Sequence, residues 1–244
     1  MQSWVNYSRL PEHLDALARA GAVRPPYAEH MLVSHRHRFI FVKTKKTGSS
    51  TTELWLKRYC PPDDSLMSPH RVGRGAPGRN HASAQEIHDV VGAEMWRDYL
   101  TIANVRNPWD KMVSLLFYRP ARTARFDSGE LDITSMDQAR RRLERLAATF
   151  RRSPCDAILE PGSPPIDRII PLDRIEHDLQ LIAAELGLPD RGQSLTRQKS
   201  LTRPEWARDW RPLYTDAAIE SVARSYSDWI EAFGYRFDSR EATR

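Results

Sequence analysis

Cysteine is scarce: Cys60 and Cys155 are the only two in 244 residues. Two thiols cannot form a disulfide framework and neither lies in C-x-x-C spacing, so a reducing cytoplasm suits them and is the expected location. No apolar run approaches the roughly 20 residues that a membrane span needs, and the N-terminus lacks a signal-peptide core, so no membrane partner is expected. Internal repeats and low-complexity segments are missing as well. So is any basic motif interleaved with aromatics, which argues against nucleic acid as a partner despite a net charge of +5 and a pI near 9.3. That positive balance favours anionic ligands.

What is present is an ordinary globular composition, 40% hydrophobic and 28% charged. It suffices for one α/β core without metal or disulfide support. A single domain over 1–244 is expected, with an N-terminal helical extension over 1–35 and a core over 36–238. Pro11 to Gly21 has the apolar spacing of a short helix with Gly21 as its C-terminal stop, and Arg24-Pro25-Pro26 then breaks the chain. His35 and His37 share one side of the entry to the first strand, but no Cys or carboxylate stands near enough in sequence to complete a metal site.

The chemistry centres on Phe39 to Leu56, FIFVKTKKTGSSTTELWL. Its start is short, apolar and β-prone, its end suits a helix, and a turn of Lys, Gly, Ser and Thr lies between. A strand entering a helix through such a turn aims free N–H groups and the positive end of the helix dipole at one spot, which binds phosphate or sulfate. The nucleotide-triphosphate loop G-x-x-x-x-G-K-[ST] does not fit, because Lys46 precedes the only glycine, Gly48.

Thr101 to Tyr118, TIANVRNPWDKMVSLLFY, repeats the theme: a buried-type strand, then Arg106, then a helix with Pro108 at its start. Arg106 and Ser114, eight residues apart, supply a guanidinium fork and a short hydroxyl, both suited to a dianionic phosphate.

Lys46-Thr47-Gly48-Ser49-Ser50-Thr51, followed by Arg106 and Ser114, resembles the donor site of the sulfotransferases, in particular the carbohydrate-type, or family 2, enzymes. Arg168 to Leu188, Gln198-Lys199-Ser200 and the tail Phe233-Gly234-Tyr235 are similar to later parts of that family. The resemblance implies an α/β fold, a P-loop-like three-layer sandwich with a central, mainly parallel sheet flanked by helices. It implies transfer of the sulfuryl group of 3′-phosphoadenosine 5′-phosphosulfate (PAPS) to a hydroxyl or amine of a carbohydrate or small-molecule acceptor, with 3′-phosphoadenosine 5′-phosphate (PAP) as product and no metal. Lys46 then sits at the leaving-group oxygen, and the N–H groups of Thr47 to Thr51 with the Ser50 and Thr51 hydroxyls hold the 5′-phosphate. Arg106 and Ser114 grip the 3′-phosphate, and Lys199 and Ser200 close over the nucleotide. The family has Pro where this chain has Lys45, so Lys45 and Lys46 compete for the leaving-group role, and alignment on Thr-Gly-Ser favours Lys46.

For the base, His81 leads, since the family places a His or Glu there and imidazole suits the work; His70, Glu53 and Glu86 are the alternatives. Trp109 is a candidate to stack on adenine, and most of the tryptophans read as core or interface packing. The loop over 61–80 carries Arg71, Arg74 and Arg79, which suit an acidic acceptor or simply solvent. Ser83 with Glu86 forms a capping box that opens a helix through about Trp96, and Asp173 with Glu176 repeats the pattern. Ser135 to Arg152 reads as a helix with Met136, Ala139, Leu143, Leu146 and Phe150 on its apolar face. A P-loop-like kinase and a non-catalytic nucleotide-binding protein are the alternative functions.

Overall fold

Along Phe39–Val42 (β2) the side chains alternate, Phe39 and Phe41 to one side of the sheet and Ile40 and Val42 to the other, and all four are at most 1% exposed. A strand that is apolar on both faces needs cover on both, as parallel strands between helix layers have. The computed structural model describes residues 32–60, 81–127, 133–189, 195 and 203–239, with the backbone alone for 119–127. The expected helix at Pro11 to Gly21, the loop over 61–80 with His70, Arg71, Arg74 and Arg79, and the pair Lys199 and Ser200 lie outside the described residues.

Among these residues the sheet runs in the order Leu32–Ser34 (β1), β2, Leu100–Val105 (β3), Arg168–Pro171 (β4). β1 pairs antiparallel with β2, whereas β2 with β3 and β3 with β4 are parallel. The fold is therefore a mixed, mostly parallel α/β sandwich. The strands expected from the sequence at Phe39 to Lys43, Tyr99 to Val105 and Arg168 to Leu172 are β2, β3 and β4. β1, three residues long, is too short to show a period, and it is joined to β2 by a turn in which the His37 N–H donates to Ser34 Oγ at 3.1 Å.

Helices follow in chain order: Ser49–Lys57 (α1), Ala84–Val91 (α2), Ala93–Asp98 (α3), Pro108–Asp127 (α4), Met136–Thr149 (α5), Ile175–Glu185 (α6), Asp216–Ser225 (α7) and Ser227–Phe233 (α8). The capping box at α2 is formed both ways, Ser83 Oγ accepting from the Glu86 N–H and Glu86 Oε2 from the Ser83 N–H. The helix it opens does not reach Trp96 unbroken, because Gly92 at φ 84 parts α2 from α3. Asn107 Oδ1 accepts the N–H of Trp109 at 3.1 Å and caps α4 behind Pro108.

Three expectations need correction. Asp173 is not the N-cap of α6: Pro171 leads from β4 straight into a 3-10 turn at Leu172–Arg174, so Asp173 lies inside the turn, exposed, and the cap position falls on Arg174. The stretch Tyr214 to Phe237, expected as a terminal helix and tail, is split into α7 and α8 by Tyr226, whose φ of −131 and ψ of 31 leave the helical range and accompany a fully buried ring. On α5, Ala139 and Leu143 are buried as expected, but Met136 in the first turn is exposed, beyond the edge of the core.

Two apolar clusters cover the sheet. Ile40, Val42, Ala103 and Val105 face α4, α5, α7 and α8 through Met112, Phe117, Leu143, Val222 and Trp229. Phe39, Phe41, Ile102 and Ile170 face α1 and α6 through Trp55, Leu56, Ile175 and Leu179. Among the described residues no helix is long and apolar enough to cross a membrane.

Candidate anion-binding site

The chain leaves β2 at its carboxyl end, where ligands collect in open parallel sheets, and turns through Lys43 to Gly48 into α1. Hydroxyls fasten the turn from within. Thr44 Oγ1 donates to the Asn104 carbonyl at 2.6 Å and lies 2.7 Å from Thr47 Oγ1, while Ser49 Oγ donates to the Thr44 carbonyl at 2.6 Å. Ser49 is thus a structural hydroxyl. Gly48 has φ 83, and a Cβ there would stand 2.5 Å from Leu172 Cδ1, so conformation and space both require glycine. Among the described residues no acceptor meets the N–H groups of Thr47, Gly48, Ser49 or Ser50, and α1 has no side-chain cap. Four adjacent donors at a helix start are a ready anion site.

Lys46 adopts φ 58, a conformation that costs a side-chain-bearing residue about 1–2 kcal/mol. Both its ends are held: Arg106 Nη1 donates to its carbonyl at 3.1 Å, and its ammonium rests 4.0 Å from the centre of the Tyr118 ring. Asp110, one turn beyond Arg106, takes that guanidinium at 2.7 and 2.6 Å, and Arg203 reaches the other oxygen of Asp110 at 2.7 Å. Burial alone pushes the Asp110 carboxyl up, but the two arginines override it and hold it below the usual range. Asp110, Ser114 and Tyr118 recur every four residues and share one stripe of α4. Ser114, 8% exposed, therefore lies between the Arg106 contact and the Lys46 contact.

His81 donates from Nδ1 to the Lys43 carbonyl at 2.7 Å, which leaves Nε2 as the acceptor of a neutral ring. Burial brings its pKa down to about 4; the carbonyl and Asp156 favour the charged form, while Lys43 and Lys45 oppose it. The other two carboxylate alternatives within the described residues are engaged. Glu53 pairs with Lys43 and with Lys57, whose ammonium lies 2.9 Å away, and Glu86 closes the α2 capping box.

No family model, no curated protein and no solved structure matches the chain.

Trp109 is no adenine platform: it is 5% exposed, donates to the Ile219 carbonyl and packs edge-on against Phe237. His35 lies 2.9 Å from the Tyr99 hydroxyl and His37 meets the Tyr59 ring edge-on; among the described residues no three His, Cys, Asp or Glu side chains are grouped to hold a metal. The residue that sequence reasoning missed is Asp156. One oxygen accepts the Lys45 N–H at 2.9 Å and the other takes the fully buried Lys111 ammonium at 2.8 Å, beneath the rings of Tyr226 and Trp229. It pins the loop to α4, and nothing in its local sequence announces it. Asp110, by contrast, had a signal, the i,i+4 spacing from Arg106.

The arrangement offers four N–H donors, two cations and one short hydroxyl around a single carboxyl end of the sheet, with a neutral imidazole nearby. It can hold an extended polyanion and accept a proton.

Proposed function

We propose that the protein is a PAPS-dependent sulfotransferase with a P-loop-like sandwich fold. The observation that carries this reading is the run of unpartnered N–H groups from Thr47 to Ser50 joined through the Lys46 carbonyl to Arg106. A bisphosphorylated nucleotide fits that layout: the loop N–H groups and the Ser50 hydroxyl take one phosphate, Arg106 and Ser114 the other. PAPS supplies an activated sulfuryl group. As the acceptor oxygen bonds to sulfur, the sulfur–oxygen bond to the 5′-phosphate breaks and the acceptor's proton passes to Nε2 of His81.

Lys46 opposes the negative charge that grows on the leaving oxygen, and its fixed backbone makes that stabilisation preorganised. The Nδ1 donation to Lys43 fixes the His81 tautomer and ring direction, so the lone pair is at Nε2 before the acceptor arrives. Arg106 exchanges its Asp110 partner for phosphate, and Arg203 keeps Asp110 paired meanwhile.

Calorimetric titration with PAP, beside ATP with magnesium, tests the reading. Micromolar PAP binding, little ATP binding, and a drop of about 10- to 100-fold for Arg106→Ala are expected, the loss of a charge-assisted fork. Preference for ATP with magnesium would replace the reading with a kinase-like one.

A further inference from the structure

Lys45 and Lys46 leave the loop toward neighbouring stripes of α4. Lys46 meets Tyr118, on the stripe of Asp110 and Ser114, whereas Lys45 and Leu115 line a cavity of about 90 Å³ on the stripe of Lys111. Leu146 and Phe150 of the α5 end complete an apolar floor, and Arg151 stands at the rim.

We infer that this cavity seats the acceptor and selects an anionic amphiphile, a hydroxyl-bearing molecule whose apolar arm carries a carboxylate. That it is the acceptor's seat rests on the sulfotransferase reading; the binding chemistry does not.

Among the polar side chains of the lining, Asp156 and Ser153 already carry partners. Both Asp156 oxygens are already engaged, by the Lys45 N–H and by Lys111, and Ser153 Oγ accepts the Cys155 thiol at 3.4 Å. Lys45 and Arg151 remain, and among the described residues neither side chain has an ion pair or hydrogen bond. Both can only donate. A neutral sugar brings many hydroxyl protons that need acceptors, and over an apolar floor those would be buried unsatisfied. A carboxylate only accepts, matches the guanidinium fork, and leaves its hydrocarbon on Leu115, Leu146 and Phe150.

Size agrees. A cavity of about 90 Å³ falls short of the ~150 Å³ that encloses benzene, so it takes one arm of a ligand and leaves the other end outside. Lys45 adjoins Lys46 and Leu115 adjoins Ser114, so that free end emerges beside the anion site. His81 is tied to the same loop, donating to the carbonyl of Lys43 two residues before Lys45.

The test titrates 3-(4-hydroxyphenyl)propanoate, its methyl ester and methyl β-glucopyranoside into the protein, each with and without PAP. The acid is expected to bind at least about 10-fold tighter than the ester, a difference of ~1.4 kcal/mol. Arg151→Gln, at an exposed site, should erase the preference without moving the thermal midpoint, and Leu146→Trp should block the acid by filling the floor. Equal binding of acid and ester, a glucoside that binds as well as the acid, or a preference that survives Arg151→Gln would overturn the inference. PAP binding without acid preference leaves the sulfotransferase reading standing and removes this one. Arg151-dependent acid preference in a protein that ignores PAP does the reverse.

Discussion

Gly48 shows how one residue sets the site. Its φ of 83 alone makes alanine cost about 1–2 kcal/mol, and the 2.5 Å approach of Leu172 Cδ1 adds a clash on top. Those two contributions separate experimentally, because only the clash involves a partner. Gly48→Ala is expected to lower the denaturant midpoint, and in a double-mutant cycle Leu172→Ala should return about 1 kcal/mol of the loss. A coupling energy of zero would mean that Leu172 swings aside freely and that the backbone conformation carries the whole effect. PAP affinity should fall in Gly48→Ala whichever part dominates, since the N–H groups that flank residue 48 must point together to serve as an anion site.

At the scale of elements, the loop, α4 and the turn at Pro154–Asp156 are fastened by Asp156 rather than by strand pairing. Burial depresses the Lys111 pKa and Asp156 works against that fall, so the ammonium keeps its charge by virtue of one carboxylate. Asp156→Asn therefore strands a buried cation and is expected to cost about 3–5 kcal/mol by chemical unfolding. Pairing it with Lys111→Met should recover most of that stability, yet not the PAP affinity, because the Lys45 N–H then meets a weaker acceptor and the loop loosens. Recovery of both would show that Asp156 serves the core alone. The same contact explains what the sequence could and could not disclose. β2, β3 and β4 were legible because their apolar runs are local, and the Lys46 loop and Arg106 were legible because strand, anion loop and helix follow one another along the chain. Asp156 was not: it lies 111 residues from Lys45, in a stretch that reads as an ordinary Pro- and Gly-bearing connector. Asp173 misled for the opposite reason, a correct local capping pattern displaced by the turn that Pro171 begins. The break at Tyr226 likewise comes from what its ring packs against, Phe150 and Trp229, and no helix breaker marks it.

For the whole molecule, acid should act in two stages. His81 is held neutral by burial, its pKa falling from 6.5 to about 4. Between those values the unfolded chain binds a proton there that the folded chain refuses, so stability is complete above about 6.5 and drains away as the pH drops toward 4. A shift of that size corresponds to about 3 kcal/mol. Glu53 and Asp110 move the other way. Burial would raise them, but their Lys and Arg partners prevail and lower both below 4.5 and 3.8, so what they contribute is lost only at still lower pH. Unfolding free energy measured from pH 7 to pH 5 thus covers the His81 window while leaving out that of Glu53 and Asp110. His81→Gln, which can still donate to the Lys43 carbonyl, is expected to flatten that slope while the steeper loss below pH 4 persists. A slope unchanged in the variant would assign it to other groups. On the sulfotransferase reading the same depressed pKa shapes turnover: with an acceptor in hand, the acid limb of kcat should fall near pH 4 rather than near 6.5, since the imidazole proposed to take the proton stays neutral through the range where an exposed histidine would already be charged.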